Sequence, residues 1–244
     1  MDQLCNYSDS RLLHGCIYCD QGLSETRDHV PSKVFLDTPY PENLAIVPAC
    51  FNCNNGFSRD EEYVACLLES VIVGSIAPSK ARRESIAKTL RRNQPLCSMI
   101  AAGMSESNGQ TVFKVQNERV QNIALKLARG HAAFEFGMPF RSAPAYIQCE
   151  PMSAMPAQAR EQFEDAAVPT VFGEIGSRSM QRLQVMEVML RSQTGEQRTH
   201  TYFINTWVDV QEGRYRYLAT NEEYGVRVRI VIGEYLAFEV RWEN

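Results

Sequence analysis

Two short cysteine motifs decide the fold of the first part of this chain: residues 16–19 read Cys-Ile-Tyr-Cys, and residues 50–53 read Cys-Phe-Asn-Cys. Two residues between a pair of cysteines let a tight turn direct both sulfurs at one point. Two such knuckles supply the four thiolates that tetrahedral Zn²⁺ prefers. The sequence therefore predicts a structural zinc site formed by Cys16, Cys19, Cys50 and Cys53.

A redox role is the alternative for the two Cys-x-x-Cys pairs, because thioredoxin-like sites use the same spacing. That role predicts reversible disulfides and no stoichiometric zinc. The zinc site is preferred because both knuckles occur within one short segment. Cys66, Cys97 and Cys149 lie in surroundings typical of ordinary small apolar residues.

The segment between the knuckles carries an Asp-His-Val-Pro motif at residues 28–31. Asp28 places a hard oxygen ligand beside His29, a group that can take up a proton near neutral pH. An amide oxygen from Asn54, just after the second knuckle, would complete a site for a Mg²⁺-like ion, while His29 activates a water molecule. Asn55 is a rival to Asn54, because the start of the following helix decides which amide faces the ion.

These motifs resemble those of the HNH endonucleases, also called ββα-metal or His-Me finger nucleases, in the subgroup braced by two Cys-x-x-Cys knuckles. The resemblance covers residues 14–70. In that family the Asp and the last His or Asn of the motif bind one divalent ion, the His is the general base, and a middle Asn braces its loop. The resemblance therefore implies Asp28 and Asn54 as ligands of Mg²⁺ or another divalent cation, His29 as the base and Asn43 as the brace.

Two positions depart from the family pattern. The middle Asn commonly precedes the third cysteine by five residues, whereas Asn43 precedes Cys50 by seven. A Lys or His often follows the last motif residue, and Phe57 stands there instead. Neither departure touches Asp28 or His29.

A helix is predicted after the second knuckle, starting near Arg59 and ending at Val73. The run Ser-Arg-Asp-Glu at residues 58–61 fits a capping box, in which the Ser and Glu side chains cover free backbone amides. Glycine, serine and proline at residues 74–79 break the pattern. A domain boundary is therefore expected at residue 77.

Charge is segregated along the chain, although the formal net charge is only −4. Counting Lys and Arg against Asp and Glu gives −7 for residues 1–77, +7 for residues 78–131 and −4 for the rest. A basic segment beside an acidic, metal-binding segment is the arrangement expected if the basic side chains contact phosphates. The alternative interpretation is a helix face that only contacts solvent. The predicted nucleic-acid-binding residues are Lys80, Arg82, Arg83, Lys88, Arg91 and Arg92.

The last part of the chain changes from helical to alternating patterns. Runs separated by turn residues between about 145 and 242 predict a mostly antiparallel sheet with one wet face. Arginines alternate with tyrosines at residues 214–217 and with valines at residues 226–229. A sheet face that carries these side chains is compatible with exposure to solvent or with contact to a nucleic-acid strand. The predicted fold is α+β, with a zinc-braced ββα-metal finger at 1–77. A second α+β domain follows at 78–244, with a basic helical segment at 78–136 and the sheet at 145–242.

The predicted function is a metal-dependent HNH-type endonuclease that hydrolyses phosphodiester bonds of nucleic acid. DNA is favoured over RNA as the substrate. By analogy with the family, bacterial restriction or phage defence is the expected setting. The expected cofactors are structural Zn²⁺ and a catalytic divalent ion such as Mg²⁺. The sequence has no apolar run of about 20 residues and no signal peptide, so we expect a cytoplasmic protein without a membrane partner. The sequence is also compatible with a homodimer. The alternative function is a non-catalytic zinc-braced module that binds nucleic acid or another partner.

Overall fold

The computed structural model describes residues 14–107, 109–192 and 194–243, which form an α+β fold with antiparallel strand pairs. The helices are α1 (Phe51–Gly56), α2 (Ser58–Val73), α3 (Glu84–Arg92), α4 (Gln94–Ala102), α5 (Asn117–Phe136), α6 (Ala157–Glu164) and α7 (Arg178–Gln181). The strands are β1 (Thr26–Val30), β2 (Ala45–Ala49), β3 (Met104–Ser107), β4 (Gln110–Phe113), β5 (Tyr146–Pro151), β6 (Gln184–Arg191), β7 (Gln197–Ile204), β8 (Val208–Gln211), β9 (Tyr215–Glu222), β10 (Gly225–Ile232) and β11 (Leu236–Glu243). Within the described ranges, no helix has the length and apolar character needed to cross a bilayer.

Helix α2 confirms the helix predicted after the second knuckle. It ends at Gly74, whose φ of 65° is a left-handed conformation that glycine adopts without strain. The predicted capping box is wrong, because Ser58 already lies within the helix and no side chain caps its start. The Glu61 carboxylate instead accepts a hydrogen bond from Ser32 and one from Lys126.

The main sheet contains five strands in the order β5-β11-β10-β9-β8, each antiparallel to its neighbours. Its strands β5, β9, β10 and β11 confirm antiparallel strands predicted in this part of the chain. The predicted runs that correspond to β6 and β7 pair with each other and do not join this sheet, so the expectation of one sheet over residues 145–242 is wrong. One face packs against the helices through buried residues such as Val228 and Ile230. The other face is not simply wet, because α6 lies over it and Arg229, only 1% exposed, donates to the Gln162 and Phe163 carbonyls.

The arginine and tyrosine residues of β9 have partners inside the fold. The Tyr215 hydroxyl lies 2.8 Å from His131 Nε2, and the Tyr217 ring stacks on the same histidine with centroids 3.7 Å apart. Arg216 pairs with Glu164 and Glu234 at 3.0 and 2.9 Å. The expectation that this strand presents a tyrosine and arginine surface is therefore wrong.

Helix α5 lies between the main sheet and the β1–β2 pair, and contacts both. A Cβ atom added at Gly130 would lie 2.7 Å from Val30 Cγ2, so glycine is needed where α5 meets β1. One hydrophobic core combines residues of α2 with residues of α5 and the sheet, on both sides of residue 77. The boundary at residue 77 stays a prediction.

Acidification is expected to destabilise this fold through His131, which is fully buried. Burial, reinforced by Arg182 and Lys126, lowers the pKa of His131 well below its usual 6.5. Below pH 6.5 the unfolded chain binds a proton that the folded chain does not, so the free energy of unfolding falls as pH falls. This residue should account for a loss on the order of 1 kcal/mol between about pH 7.5 and 5.5. Urea titrations at both pH values should show a smaller loss for His131→Gln than for the wild type, and equal losses would contradict this assignment.

Candidate functional site

The four predicted zinc ligands lie together in the folded chain. The sulfurs of Cys16, Cys19, Cys50 and Cys53 all lie within 4.8 Å of one another, and those of Cys19 and Cys50 are 3.8 Å apart. Zn–S bonds of about 2.3 Å in a tetrahedron place the sulfurs about 3.8 Å apart. The cluster therefore fits a structural metal, and four thiolates are the ligand set that favours Zn²⁺.

The local backbone directs these sulfurs towards one another. Cys50 is the N-cap of α1, and its Sγ accepts a hydrogen bond from the Cys53 N–H at 3.4 Å. In the first knuckle, the Tyr18 N–H donates to Cys16 Sγ at 3.3 Å. A Cβ atom added at Gly22 would lie 2.6 Å from Cys50 Cβ, so the loop after the first knuckle passes close to the second.

The cysteines of the cluster are free thiols with different acidities. Burial raises the pKa of Cys16 and of Cys53. Burial acts the same way at Cys19, but hydrogen bonds from the Gln21 backbone and from the other cysteines outweigh it and lower the pKa to about 7. Because metal binding requires thiolates, binding should release protons, and the metal affinity should rise with pH.

The β1–β2 pair places Asp28 and His29 on opposite faces. Asp28 lies opposite Val47 in the pair, and His29 lies opposite Ile46. Since side chains alternate along a strand, Asp28 points to the buried face with Val47, whereas His29 is half-buried on the face of the exposed Ile46. The two neighbouring residues of the motif therefore enter different environments.

Asp28 belongs to a buried polar cluster. Its Oδ2 accepts a hydrogen bond from the Tyr18 hydroxyl at 2.7 Å and lies 2.9 Å from Lys126 Nζ. The same ammonium lies 2.6 Å from Glu61 Oε1 and 2.5 Å from Ser32 Oγ. Lys126 comes from α5 and is not among the residues predicted for the site. Two carboxylates around one ammonium leave this cluster with a formal charge of −1.

Replacing Lys126 with methionine is expected to destabilise the protein by about 3–5 kcal/mol, because Asp28 and Glu61 would lose the charge that compensates them in a largely buried site. Urea unfolding at neutral pH measures the change. Lys114→Met, at an exposed position, is the matched control and should change the free energy of unfolding by about 0.5 kcal/mol or less. Equal stabilities for the two variants would contradict the structural role of Lys126.

His29 has the acidity expected of a group that accepts protons. Partial burial lowers its pKa from the usual 6.5, Lys33 and Lys126 lower it further, and Asp28 opposes the shift. A neutral imidazole can accept a proton, whereas an imidazolium cannot. At neutral pH the side chain is therefore in the form that a general base requires.

The asparagines of the motif occupy three different positions. Asn54, half-buried on α1, donates from Nδ2 to Thr26 Oγ1 at 3.1 Å. Thr26 lies two residues before Asp28 on β1, and therefore on the same face of that strand. Asn55 is exposed on α1, and Asn43 is exposed in the turn before β2. Of the two rival amides, Asn54 is the one that contacts the face of β1 that carries Asp28.

The basic residues predicted to contact nucleic acid differ in exposure. Arg83 is buried, and its guanidinium donates to Asp37 Oδ1 at 2.7 Å and to the Leu36 carbonyl at 2.5 Å. It therefore holds the segment before α3 in place and does not face solvent. The exposed members are Lys80, Arg82, Lys88, Arg91 and Arg92. Three of these lie near carboxylates: Arg82 near Glu69, Arg91 near Glu84, and Arg92 near Glu62.

Comparisons of this chain with protein-family models, with curated proteins and with solved structures returned no match.

Proposed function

We propose that this protein is a metal-dependent HNH-type endonuclease that hydrolyses phosphodiester bonds of nucleic acid, with DNA favoured over RNA as the substrate. The observation that supports the proposal most strongly is the four-cysteine cluster. Its first knuckle precedes β1 and its second begins α1, so one metal ion would brace the two elements that carry Asp28, His29 and Asn54. A brace at this place suits a site whose side chains must keep their positions while they act on a substrate.

In this proposal His29 is the general base. Its lowered pKa keeps the imidazole neutral, and its half-buried position on the outer face of β1 lets a water molecule reach it. The imidazole would take a proton from that water as the water attacks phosphorus. The zinc would have no part in this step, because four thiolates leave it no open position.

A divalent ion such as Mg²⁺ would be held by the Asp28 carboxylate and the Asn54 amide oxygen, which are the hard ligands such an ion prefers. It would supply positive charge to the phosphate and to the departing 3′ oxygen. The −1 charge of the cluster of Asp28, Glu61 and Lys126 favours a cation. Asp28 Oδ2 already contacts Tyr18 and Lys126, so Oδ1 is the oxygen proposed to bind the ion.

The exposed basic residues of the segment from Lys80 to Arg92 are the proposed contacts to the phosphate backbone. Lys and Arg side chains that neutralise phosphates release counterions, so the affinity should fall steeply as salt rises and should depend little on sequence. Arg83 is not included, because it is buried against Asp37.

A non-catalytic nucleic-acid-binding module is the second candidate, and one observation favours it. Asp28 is only 7% exposed and already pairs with Lys126, so a metal ion would have to compete with an ammonium group for this carboxylate. In such a module the cysteine cluster would brace a binding surface, and the same basic residues would contact phosphates.

Incubation with three substrates separates the two candidates. Purified protein is mixed with duplex DNA, single-stranded DNA or RNA in Mg²⁺ or Mn²⁺, and binding is measured beside cleavage at increasing salt. A nuclease is expected to cleave at least one substrate, with DNA cut faster than RNA. Salt-sensitive binding with all three substrates intact would contradict the nuclease and favour the binding module.

A further inference from the structure

The β6–β7 hairpin has little support from the other described residues, of which Phe172 contacts the Phe203 ring of β7 with centroids 5.6 Å apart. Among the described residues its two strands pair only with each other, and almost every residue in them is exposed. An isolated two-stranded hairpin is at best marginally stable in water, and three or more strands are needed for independent stability. The hairpin also exposes apolar side chains, with Val185 61%, Met189 64% and Leu190 54% exposed.

The outer edge of β6 can accept another strand. At the turn, the Ser192 N–H donates to the Glu196 carbonyl at 2.8 Å, so the backbone of residue 192 faces β7. Backbone groups alternate in direction along an antiparallel strand, so residues 185, 187, 189 and 191 direct their N–H and C=O groups away from β7. Such an edge is a template for a strand from another chain. The isolated bridge in this region joins Ala167 to Asn205, beyond the end of β7, and does not cover β6.

We infer that the edge of β6 is a self-association surface, at which a second copy of this chain pairs antiparallel to give a four-stranded sheet. Hydrogen bonds can form only between the odd-numbered residues of both copies. In the register centred on Met189, this residue meets Met189 of the second copy. Glu187 then lies opposite Arg191 in both directions, and Val188 lies opposite Leu190.

Charge selects this register over the others that the backbone allows. Centring on Glu187 places two carboxylates directly opposite each other, and centring on Arg191 places two guanidinium groups opposite each other. Centring on Val188 sets Glu187 against Met189 and Arg191 against Val185, so neither charge meets its opposite. Like charges directly opposite each other destabilise a strand pair, whereas opposite charges stabilise it. The register centred on Met189 therefore pairs every charge of β6.

The side-chain faces agree with the same register, because residues opposite each other share a face of the sheet. Val188 and Leu190 lie on the face of the hairpin that also carries Met186, Tyr202 and Ile204. Pairing at β6 joins the two apolar faces and brings their Val188 and Leu190 side chains together. The association surface contains none of the residues of the proposed nuclease site, so its test does not depend on that function.

Charge reversal tests both the surface and its register. The wild-type chain is expected to sediment at micromolar concentration as a dimer of about 55 kDa, twice the 27.7 kDa of one chain. Glu187→Arg opposes arginine to arginine at both ends, and Arg191→Glu opposes glutamate to glutamate. Each variant alone should dimerise at least about tenfold more weakly. A mixture of the two variants restores opposite charges at both positions and should form a heterodimer.

Circular dichroism of each variant verifies that the exposed substitutions leave the fold intact. Glu196→Arg, at the turn and outside the paired segment, should dimerise like the wild type. A monomeric wild type, single variants that dimerise as tightly as the wild type, or a mixture that remains monomeric would each overturn the inference.

Discussion

Replacing Cys50 with serine is expected to abolish metal binding and to unfold the segment that carries β1, β2 and α1. The Sγ atoms of Cys50 and Cys19 lie 3.8 Å apart in the cluster, and the Cys50 sulfur also caps the start of α1. Structural zinc sites contribute apparent binding free energies of about 10–16 kcal/mol. The free energy of unfolding of a typical domain is about 5–15 kcal/mol. Loss of the metal should therefore be enough to unfold this segment.

Metal analysis of the purified chains measures this effect. The wild type should contain about one zinc per chain and the Cys50→Ser variant less than about one tenth of that. Cys97→Ser is the matched control, because Cys97 is also a free, half-buried thiol but lies on α4, outside the cluster. A Cys50→Ser protein that keeps its zinc and its circular dichroism spectrum would contradict the assignment of the four ligands.

Replacing His29 with alanine is expected to reduce nucleic-acid cleavage by about 10²–10⁴-fold, which is the usual contribution of a general base. The imidazole is the group that accepts the proton in the proposed mechanism, and its lowered pKa keeps it ready to do so. The side chain is only half-buried and is not part of the cysteine cluster, so zinc content and folding should be unchanged.

The initial rate of plasmid cleavage, compared at equal protein and zinc concentrations, measures the effect of His29→Ala. His200→Ala removes a histidine from the exposed hairpin strand β7 and should cleave like the wild type. Cleavage at the wild-type rate by His29→Ala would show that this histidine is not the base.

Spacing within the chain predicted the local parts of the site. Each Cys-x-x-Cys pair closes through N–H···S bonds between residues two or three apart, and this geometry needs no information from the rest of the chain. Helix α2 and the strands β9 to β11 could be predicted for the same reason, since their apolar residues recur at the spacing of a helix or of a strand.

The contact between Asp28 and Lys126 could not be predicted, because Lys126 lies far along the chain on α5. Lys126 lies between Ile123 and Leu127 on the buried side of α5, and a lysine within an apolar stripe was the available signal. Gly130 lets α5 approach β1 closely, and this approach brings Lys126 within reach of Asp28. Sequence spacing carries no information on that approach.

Tertiary packing also decided which arginines face solvent. Arg82 and Arg83 are adjacent in a basic run, yet Arg82 is exposed and Arg83 is buried against Asp37. Arg229 alternates with valines as an exposed residue would, but α6 covers it. The alternating pattern likewise predicted β6 and β7 as strands without indicating that they form a sheet of their own.

Cleavage is proposed to require a divalent ion near Asp28 and His29, separate from the structural metal. This requirement is tested most directly by plasmid cleavage with protein that keeps its zinc but has been freed of Mg²⁺, before and after Mg²⁺ is restored. We expect no cleavage before the addition, cleavage afterwards, and an unchanged zinc content throughout. Intact plasmid after Mg²⁺ or Mn²⁺ is added, or cleavage that needs neither ion, would contradict the claim.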